Sequence, residues 1–214
     1  MIMKLYTYFR SSAAYRVRIA LHLKGIEAEH IPVHLVNNGG EQHSETFRRV
    51  NPGELVPALI EDDFTLTQSL SMIEYLEEKF PETPLLPKDL QQRALIRAFS
   101  LNIACDIHPL NNLRVLQYLS KTLNASDEQK TEWYRHWVIT GLKALEAQLT
   151  HSNGQFCFGD QPSLADCCLI PQVYNAKRFK IDLSDFPKIE SIYAHCNSLD
   201  TFQKAAPEAQ LDAA

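Results

Sequence analysis

The chain lacks several features that would assign it to a specialised class of protein. Its 214 residues include five cysteines, an odd number with no Cys-x-x-Cys pair, so we expect neither a disulfide framework nor a metal site. No apolar run approaches the roughly 20 residues that span a bilayer. With a net charge of −5 and no block of Lys or Arg, we expect no binding of nucleic acid or of anionic membranes.

The start of the chain also lacks the pattern of a signal peptide. Residues 1–8 are too few and too mixed in polarity for one, and they predict a first strand instead. We therefore expect a cytoplasmic protein. In that compartment we interpret the cysteines as small, buried, reduced side chains: Cys105, Cys157, Cys167, Cys168 and Cys196.

The first 80 residues alternate between signals for strands and helices. Ser11 and Ser12 can cap a helix that Gly25 ends, and Ser69 begins a helix that Pro81 ends. The whole pattern is β-α-β-α-β-β-α, with strands over 3–8, 26–35, 56–60 and 64–67. The first helix runs through residues 15–24 behind the Ser11-Ser12 cap, and two more helices follow over 41–50 and 69–80.

The rest of the chain carries helical signals almost throughout. Pro81 to Pro87 holds three prolines in seven residues, which is typical of a linker. We therefore predict domains over 1–80 and 88–214, joined by a linker over 81–87. In the second domain, apolar residues from Ile96 to Leu110 predict one long helix, and Ser163-Leu-Ala-Asp166 resembles a capping box.

Several collinear motifs sharpen this picture. Ser11-Ser-Ala-Ala-Tyr-Arg-Val-Arg-Ile-Ala-Leu21 resembles the zeta-class glutathione transferase signature, Ser-Ser-Cys-x-Trp-Arg-Val-Arg-Ile-Ala-Leu. Asn51-Pro-Gly-Glu-Leu-Val-Pro57 resembles the turn and cis-proline of that family, and Gln68-Ser69 its Gln-Ser pair. The resemblance implies an α/β thioredoxin-like N-terminal domain followed by an all-α domain. Ala13 and Tyr15 stand where the class has cysteine and tryptophan, which excludes a cysteine nucleophile there.

The resemblance also implies a glutathione-dependent enzyme. Free thiols have pKa values near 8.5, so an oriented hydroxyl and the positive end of a helix would both favour the thiolate. Ser11 is the better candidate for the sulfur contact, Ser12 supports it, and Arg10 completes the predicted catalytic set. The residues predicted to contact glutathione are Ser11, Ser12, Arg16, Gln42, Val56, Gln68, Ser69, His108 and Asn112.

The expected second substrate is a small dicarboxylate of the maleyl type. Arginine suits the bidentate recognition of carboxylates, and polar groups cluster where His108-Pro109 should kink the long helix. The predicted substrate contacts are Arg10, His108, Asn111, Asn112, Arg114 and Arg178. The implied reaction is the cis–trans isomerisation of maleylacetoacetate in tyrosine and phenylalanine catabolism, performed by a homodimer.

Three alternatives stay open at this point. The substrate can be maleylpyruvate, or the scaffold can act as a transferase on small halo-acids. The protein can also be a binding module without catalysis, although a coherent set of glutathione contacts argues against this. Asp166 is tempting as a catalytic acid, but its spacing from Ser163 favours a buried structural cap.

Overall fold

A computed structural model describes residues 3–150 and 152–213 of the chain. The predicted domain ends at residues 1 and 214 lie outside the described residues. The chain divides into two compact units, Met1–Leu86 with Asn197–Ala214, and Pro87–Cys196. Among the described residues, no helix is both long enough and apolar enough to cross a membrane.

The first unit has the thioredoxin-like order predicted from the sequence. Its elements are β1 (Met3–Thr7), α1 (Ser12–Lys24), β2 (Ala28–Pro32), α2 (Glu45–Val50), β3 (Ala58–Glu61), β4 (Phe64–Thr67) and α3 (Ser69–Lys79), with 3-10 turns at Asn37–Gly39 and Glu41–His43. The sheet order is β2-β1-β3-β4, in which β1 and β2 are parallel and the other pairs are antiparallel. The predicted hairpin over β3 and β4 is confirmed.

Helix α1 begins and ends where the sequence predicts. Ser11 is its N-cap, with the side-chain oxygen accepting a hydrogen bond from the Ala14 amide at 3.2 Å. Gly25 ends the helix at φ +67°, a left-handed conformation that glycine adopts without strain. The helix buries nine residues, including Val17 and Ile19, and it packs against α3, so apolar burial fixes it in the first unit.

Three predicted elements of this unit have wrong bounds, of which the third strand begins at Ala58, two residues later than predicted. The second strand is only Ala28–Pro32, the five residues in register with β1, and the chain leaves the sheet after one more bond, from the Val33 amide to the Thr7 carbonyl. The predicted helix over 41–50 is two elements, since Ser44 has extended backbone and caps α2 by accepting from the Phe47 amide. A serine inside a helical pattern therefore acted as a new helix start.

The second unit is all-helical, as predicted. Its helices are α4 (Leu90–Leu101), α5 (Leu113–Lys121), α6 (Asp127–Leu149), α7 (Leu164–Arg178) and α8 (Pro187–Asn197), with a π turn at Asn102–Ile107 and a 3-10 turn at Pro109–Asn111. The chain then forms α9 (Asp200–Ala205) and a 3-10 turn at Pro207–Ala209.

The long helix predicted up to Leu110 is interrupted. Regular α-helix ends at Leu101, and the apolar side chains of Ile103 and Ile107 stay buried through the π turn that follows. His108-Pro109 therefore lies after the α-helix and not at a kink inside it. Pro109 opens the 3-10 turn, a position where its missing N–H has no helical partner to lose.

The capping box of α7 is confirmed. Asp166 is fully buried, and its carboxylate accepts hydrogen bonds from the Ser163 amide, the Ser163 hydroxyl and the Cys157 amide, each at 2.8 Å. Burial raises the pKa of Asp166, and these donors oppose that rise. None of the five cysteines forms a disulfide and four are buried, but the prediction of burial is wrong for Cys105, which is exposed on the π turn.

The ends of the first unit are held by buried polar contacts. Lys24 pairs with Glu77 at 2.7 Å, and the Glu77 carboxylate accepts from the amides of Leu85 and Leu86. The segment predicted as a linker is thus fixed against α3. Residues 197–214, which the sequence assigned to the second domain, belong to the first unit because Phe202 and Ala205 are buried and α9 packs on α1.

Two histidines of the first unit predict a pH-dependent stability. Burial, chiefly, lowers the pKa values of His22 and His30 below 6.5, and the Arg18 cation lowers both further. The unfolded chain therefore binds more protons than the folded one below about pH 6.5, so the free energy of unfolding should fall as the pH falls through that value.

The His22→Gln/His30→Gln double variant should flatten the dependence of Tm on pH between about pH 7 and 5.5. The exposed His136 provides the control, since His136→Gln should leave the wild-type slope unchanged. An equal slope in the double variant and the wild type would contradict this account.

Candidate active site

The hydroxyl of Ser11 stands at the positive end of α1. Its oxygen accepts from the Ala14 amide through a lone pair, so the hydroxyl proton remains able to donate. Ser11 is half-buried, whereas Ser12 is only 4% exposed, which makes Ser11 the more accessible of the two. The first turn of α1 holds no acidic side chain, so its amides favour an anion.

A buried guanidinium reaches the start of α3. Arg16 Nη1 donates to Ser69 Oγ at 3.2 Å, and the two residues are 2% and 6% exposed. Gln68, the N-cap, has φ +70° and its side chain makes no capping hydrogen bond. A non-glycine residue in that conformation is strained, a feature that clusters at functional sites. An uncapped helix start beside a guanidinium can bind a carboxylate.

Gln42 offers a buried acceptor on the 3-10 turn Glu41–His43. Gly40 makes room for it, because at φ +105° a Cβ there would lie 2.5 Å from Gln42 Nε2. That nitrogen donates to the Leu35 carbonyl at 3.4 Å, while Oε1 has no hydrogen-bond partner within residues 3–150 and 152–213. Since buried polar atoms are normally satisfied, a ligand that donates a hydrogen bond fits this position.

An apolar cluster holds these segments together. Its buried members are Tyr8, Phe9, Val33, Phe47 and Val56, and Leu35 packs against them. Val56 directly precedes the cis bond to Pro57, and Ala58 then pairs with Tyr6 of β1. The cluster thereby ties the strand end before Ser11 to Val56 and to the residue that Gln42 contacts.

Arg10, the third predicted catalytic residue, is exposed. Its guanidinium lies over the ring of Phe9, 4.7 Å from the ring centroid, and it immediately precedes Ser11. A cation held on an aromatic face can pair with a carboxylate in solvent, and its charge adds to that of the α1 terminus.

The remaining predicted residues lie in the second unit, four of them within residues 108–114 and one, Arg178, at the end of α7. His108 precedes Pro109, and Asn111 ends the 3-10 turn that Pro109 opens. Asn111 is buried, and its Oδ1 has no hydrogen-bond partner among the described residues. Asn112 caps α5 by accepting from the amide of Arg114, whose side chain is exposed. The segment therefore offers hydrogen-bonding groups and the Arg114 cation at the start of α5.

Helix α6 connects this segment with the end of α7. Trp133 Nε1 donates to the Leu110 carbonyl at 2.8 Å, and the neighbouring Tyr134 stacks on Phe179 with ring centroids 3.9 Å apart. Arg178 is exposed beside Phe179 and donates to Asn175 Oδ1 at 3.3 Å. Burial raises the pKa of Tyr134, and the Arg178 charge lowers it in part.

Two residues around this site were not predicted from the sequence. Arg18 is fully buried and donates to the carbonyls of Tyr8, Phe9 and Ala205. Asp212 accepts from the Phe9 amide at 2.9 Å. Arg18 could have been found from the sequence, because it is a charged residue within an apolar stretch of α1. No local pattern marks Asp212, whose partner is 203 residues away.

Comparison with known proteins agrees with this geometry. Family models of the glutathione S-transferase N-terminal and C-terminal domains match residues 5–84 and 138–196. A probable maleylacetoacetate isomerase of Vibrio cholerae is 51% identical over 209 residues, covering 98% of this chain and 97% of that protein.

Two solved structures are similar over nearly their whole length. A holo maleyl pyruvate isomerase, described as a bacterial zeta-class glutathione S-transferase, has a TM-score of 0.95 and 45% identity. The match covers 99% of this chain and 100% of the isomerase chain. A maleylacetoacetate isomerase of Methylobacterium extorquens with bound malonate and GSH has a TM-score of 0.94 and 41% identity, covering 99% of both chains. The chain therefore belongs to the zeta class of the glutathione S-transferase family.

Proposed function

We propose that the protein catalyses the glutathione-dependent cis–trans isomerisation of maleylacetoacetate to fumarylacetoacetate in tyrosine and phenylalanine catabolism. The proposal rests on two helix starts in the first unit. Ser11 is half-buried at the start of α1, and Arg16 contacts Ser69 at the uncapped start of α3. The naming of the similar proteins supports the reaction.

The first unit fits glutathione at its charged and polar ends. Arg16, Gln68 and Ser69 would bind the carboxylate of the γ-glutamyl group, whose charge the α3 terminus favours. Gln42 Oε1, which lacks a partner in the part of the chain that the structure describes, would accept from an N–H of the tripeptide, and the Val56 backbone would pair with its peptide groups. His108 and Asn112 are further proposed contacts.

Ser11 would hold the sulfur as the anion. Bound glutathione would supply a thiolate that adds to the cis double bond, which allows rotation about the resulting single bond, and expulsion of the same thiolate would re-form the double bond as the trans isomer. Donation by the Ser11 hydroxyl and the amides of α1 stabilises negative charge, which lowers the pKa of a thiol at this position. Ser12, buried in the same turn, would fix the backbone that presents Ser11.

The dicarboxylate would be recognised by cations and amide groups. Arg10, Arg114 and Arg178 are exposed, so they are free of the desolvation that a buried ion pair costs. His108, Asn111 and Asn112 add hydrogen-bonding groups beside Arg114. Bound malonate in the similar Methylobacterium extorquens structure supports a dicarboxylate as the ligand class.

Maleylpyruvate is the second candidate substrate, favoured by the likeness to the solved maleyl pyruvate isomerase. The test is to follow ultraviolet absorbance while purified protein acts on each compound, with and without glutathione. We expect turnover of maleylacetoacetate that requires glutathione and exceeds that of maleylpyruvate in kcat/KM. The reverse preference would assign the second reaction, and no turnover of either would contradict the proposal.

We further propose a cytoplasmic homodimer. Leu90, Leu95 and Leu101 of α4 are 80%, 54% and 47% exposed, and burying them in a partner copy would remove apolar area from water. Reduced cysteines suit a reducing compartment. Light scattering that gives the mass of one chain would contradict the dimer.

A further inference from the structure

The end of the chain holds the loop that leads to Ser11. Asp212 Oδ2 accepts the amide hydrogen of Phe9 at 2.9 Å, two residues before Ser11. The neighbouring Ala213 packs against the cluster that contains Tyr8 and Phe9. A terminal segment thus contacts the turn between β1 and α1 through both a carboxylate and an apolar side chain.

The same loop is held on its other side by Arg18. Its Nη2 donates to the Phe9 carbonyl at 3.0 Å, and its Nε donates to the Ala205 carbonyl at 2.9 Å. Both backbone polar groups of Phe9 are therefore bonded, one to Asp212 and one to Arg18. Because successive peptide planes share a Cα, the orientation of Phe9 limits where Arg10 and Ser11 can lie.

We infer that Asp212 is a positioning residue for the Ser11 hydroxyl. This inference rests on the proposed function, in which Ser11 contacts the sulfur of glutathione. Without the carboxylate, the Phe9 amide would lose this acceptor, while Arg18 and the apolar cluster would still hold the rest of the turn. The turn would then be less firmly fixed, so that the Ser11 hydroxyl would point at the sulfur less often. Misplacement of a reacting group by about 1 Å can cost up to 100-fold in rate.

The surroundings of Asp212 set the size of the expected effect. It borders a cavity of about 300 Å³ together with Thr7, His22, His30, Lys204 and Gln210. A cavity with polar walls admits water, so a water molecule can replace the lost acceptor in part. We therefore expect Asp212→Ala to lower kcat/KM by about tenfold, less than removal of the Ser11 hydroxyl does.

The test compares Asp212→Ala and Asp212→Asn with Asp200→Ala. Asn keeps an oxygen acceptor and should retain most activity, while Asp200 is an exposed carboxylate of α9, paired with Lys204, and should tolerate replacement. Two measurements are independent of turnover: hydrogen exchange of the peptide that contains Phe9, and the pKa of bound glutathione from thiolate absorbance.

For Asp212→Ala we expect faster exchange at Phe9, a higher thiol pKa, and a fall in kcat greater than any rise in the KM for glutathione. Equal values in Asp212→Ala and Asp200→Ala would overturn the inference, as would a loss that disappears when rates are referred to the folded fraction. Both results leave an active wild type, whereas failure of the proposed function would leave the wild type inactive.

Discussion

Replacing Ser11 with alanine is expected to lower kcat/KM for the isomerisation by about 10²–10³, or roughly 3–4 kcal/mol of transition-state stabilisation. The hydroxyl is the donor that the capping bond to Ala14 leaves in place at the positive end of α1. Without it, the pKa of the bound thiol should rise towards the value near 8.5 of a free thiol, and less thiolate forms at neutral pH.

A second capping serine separates this chemical role from the structural one. Ser126 caps α6 by accepting from the Gln129 amide, so Ser126→Ala also loses about 1 kcal/mol of cap energy but should keep full turnover. Isomerisation rates and thiolate absorbance against pH are measured on both variants. If Ser12→Ala, and not Ser11→Ala, loses the thiolate, the sulfur contact belongs to Ser12.

Local signals were enough to predict much of the fold. Ser11 and Gly25 mark the two ends of α1 in the sequence, because helix capping and a left-handed backbone conformation depend on only a few neighbouring residues. The break after Leu101 was not predicted, because a π turn keeps Ile103 and Ile107 on the buried face and leaves the apolar periodicity nearly unchanged. The sequence pattern alone cannot distinguish these two backbones.

The site was predictable where its residues belong to collinear motifs, and less so where it depends on tertiary contacts. The Arg16–Ser69 bond joins two predicted residues, but neither motif indicates that they touch. Asp212 and the buried Lys24–Glu77 pair gain their meaning from partners that only folding supplies. The terminal residues were assigned to the second domain for the same reason, since α9 packs on α1 without any sequence signal.

Replacing Asp166 with alanine is expected to lower the free energy of unfolding by about 3–5 kcal/mol, with little change in turnover per folded molecule. The carboxylate is fully buried and accepts three hydrogen bonds, two of them from backbone amides of Ser163 and Cys157. Alanine leaves these donors without acceptors where water does not reach, at about 1–3 kcal/mol for each. Urea unfolding measures the loss.

The controls decide whether Asp166 is a cap or a catalytic acid. Asp160 is exposed in the loop before α7, so Asp160→Ala should change the free energy of unfolding by at most about 0.5 kcal/mol. Asp166→Asn should also be destabilised, since its amide group places a donor against the donors of Ser163. Unchanged unfolding with lost turnover in Asp166→Ala would make the residue catalytic. The burial of the carboxylate and its three bonds instead predict a protein that unfolds early and, while folded, turns over normally.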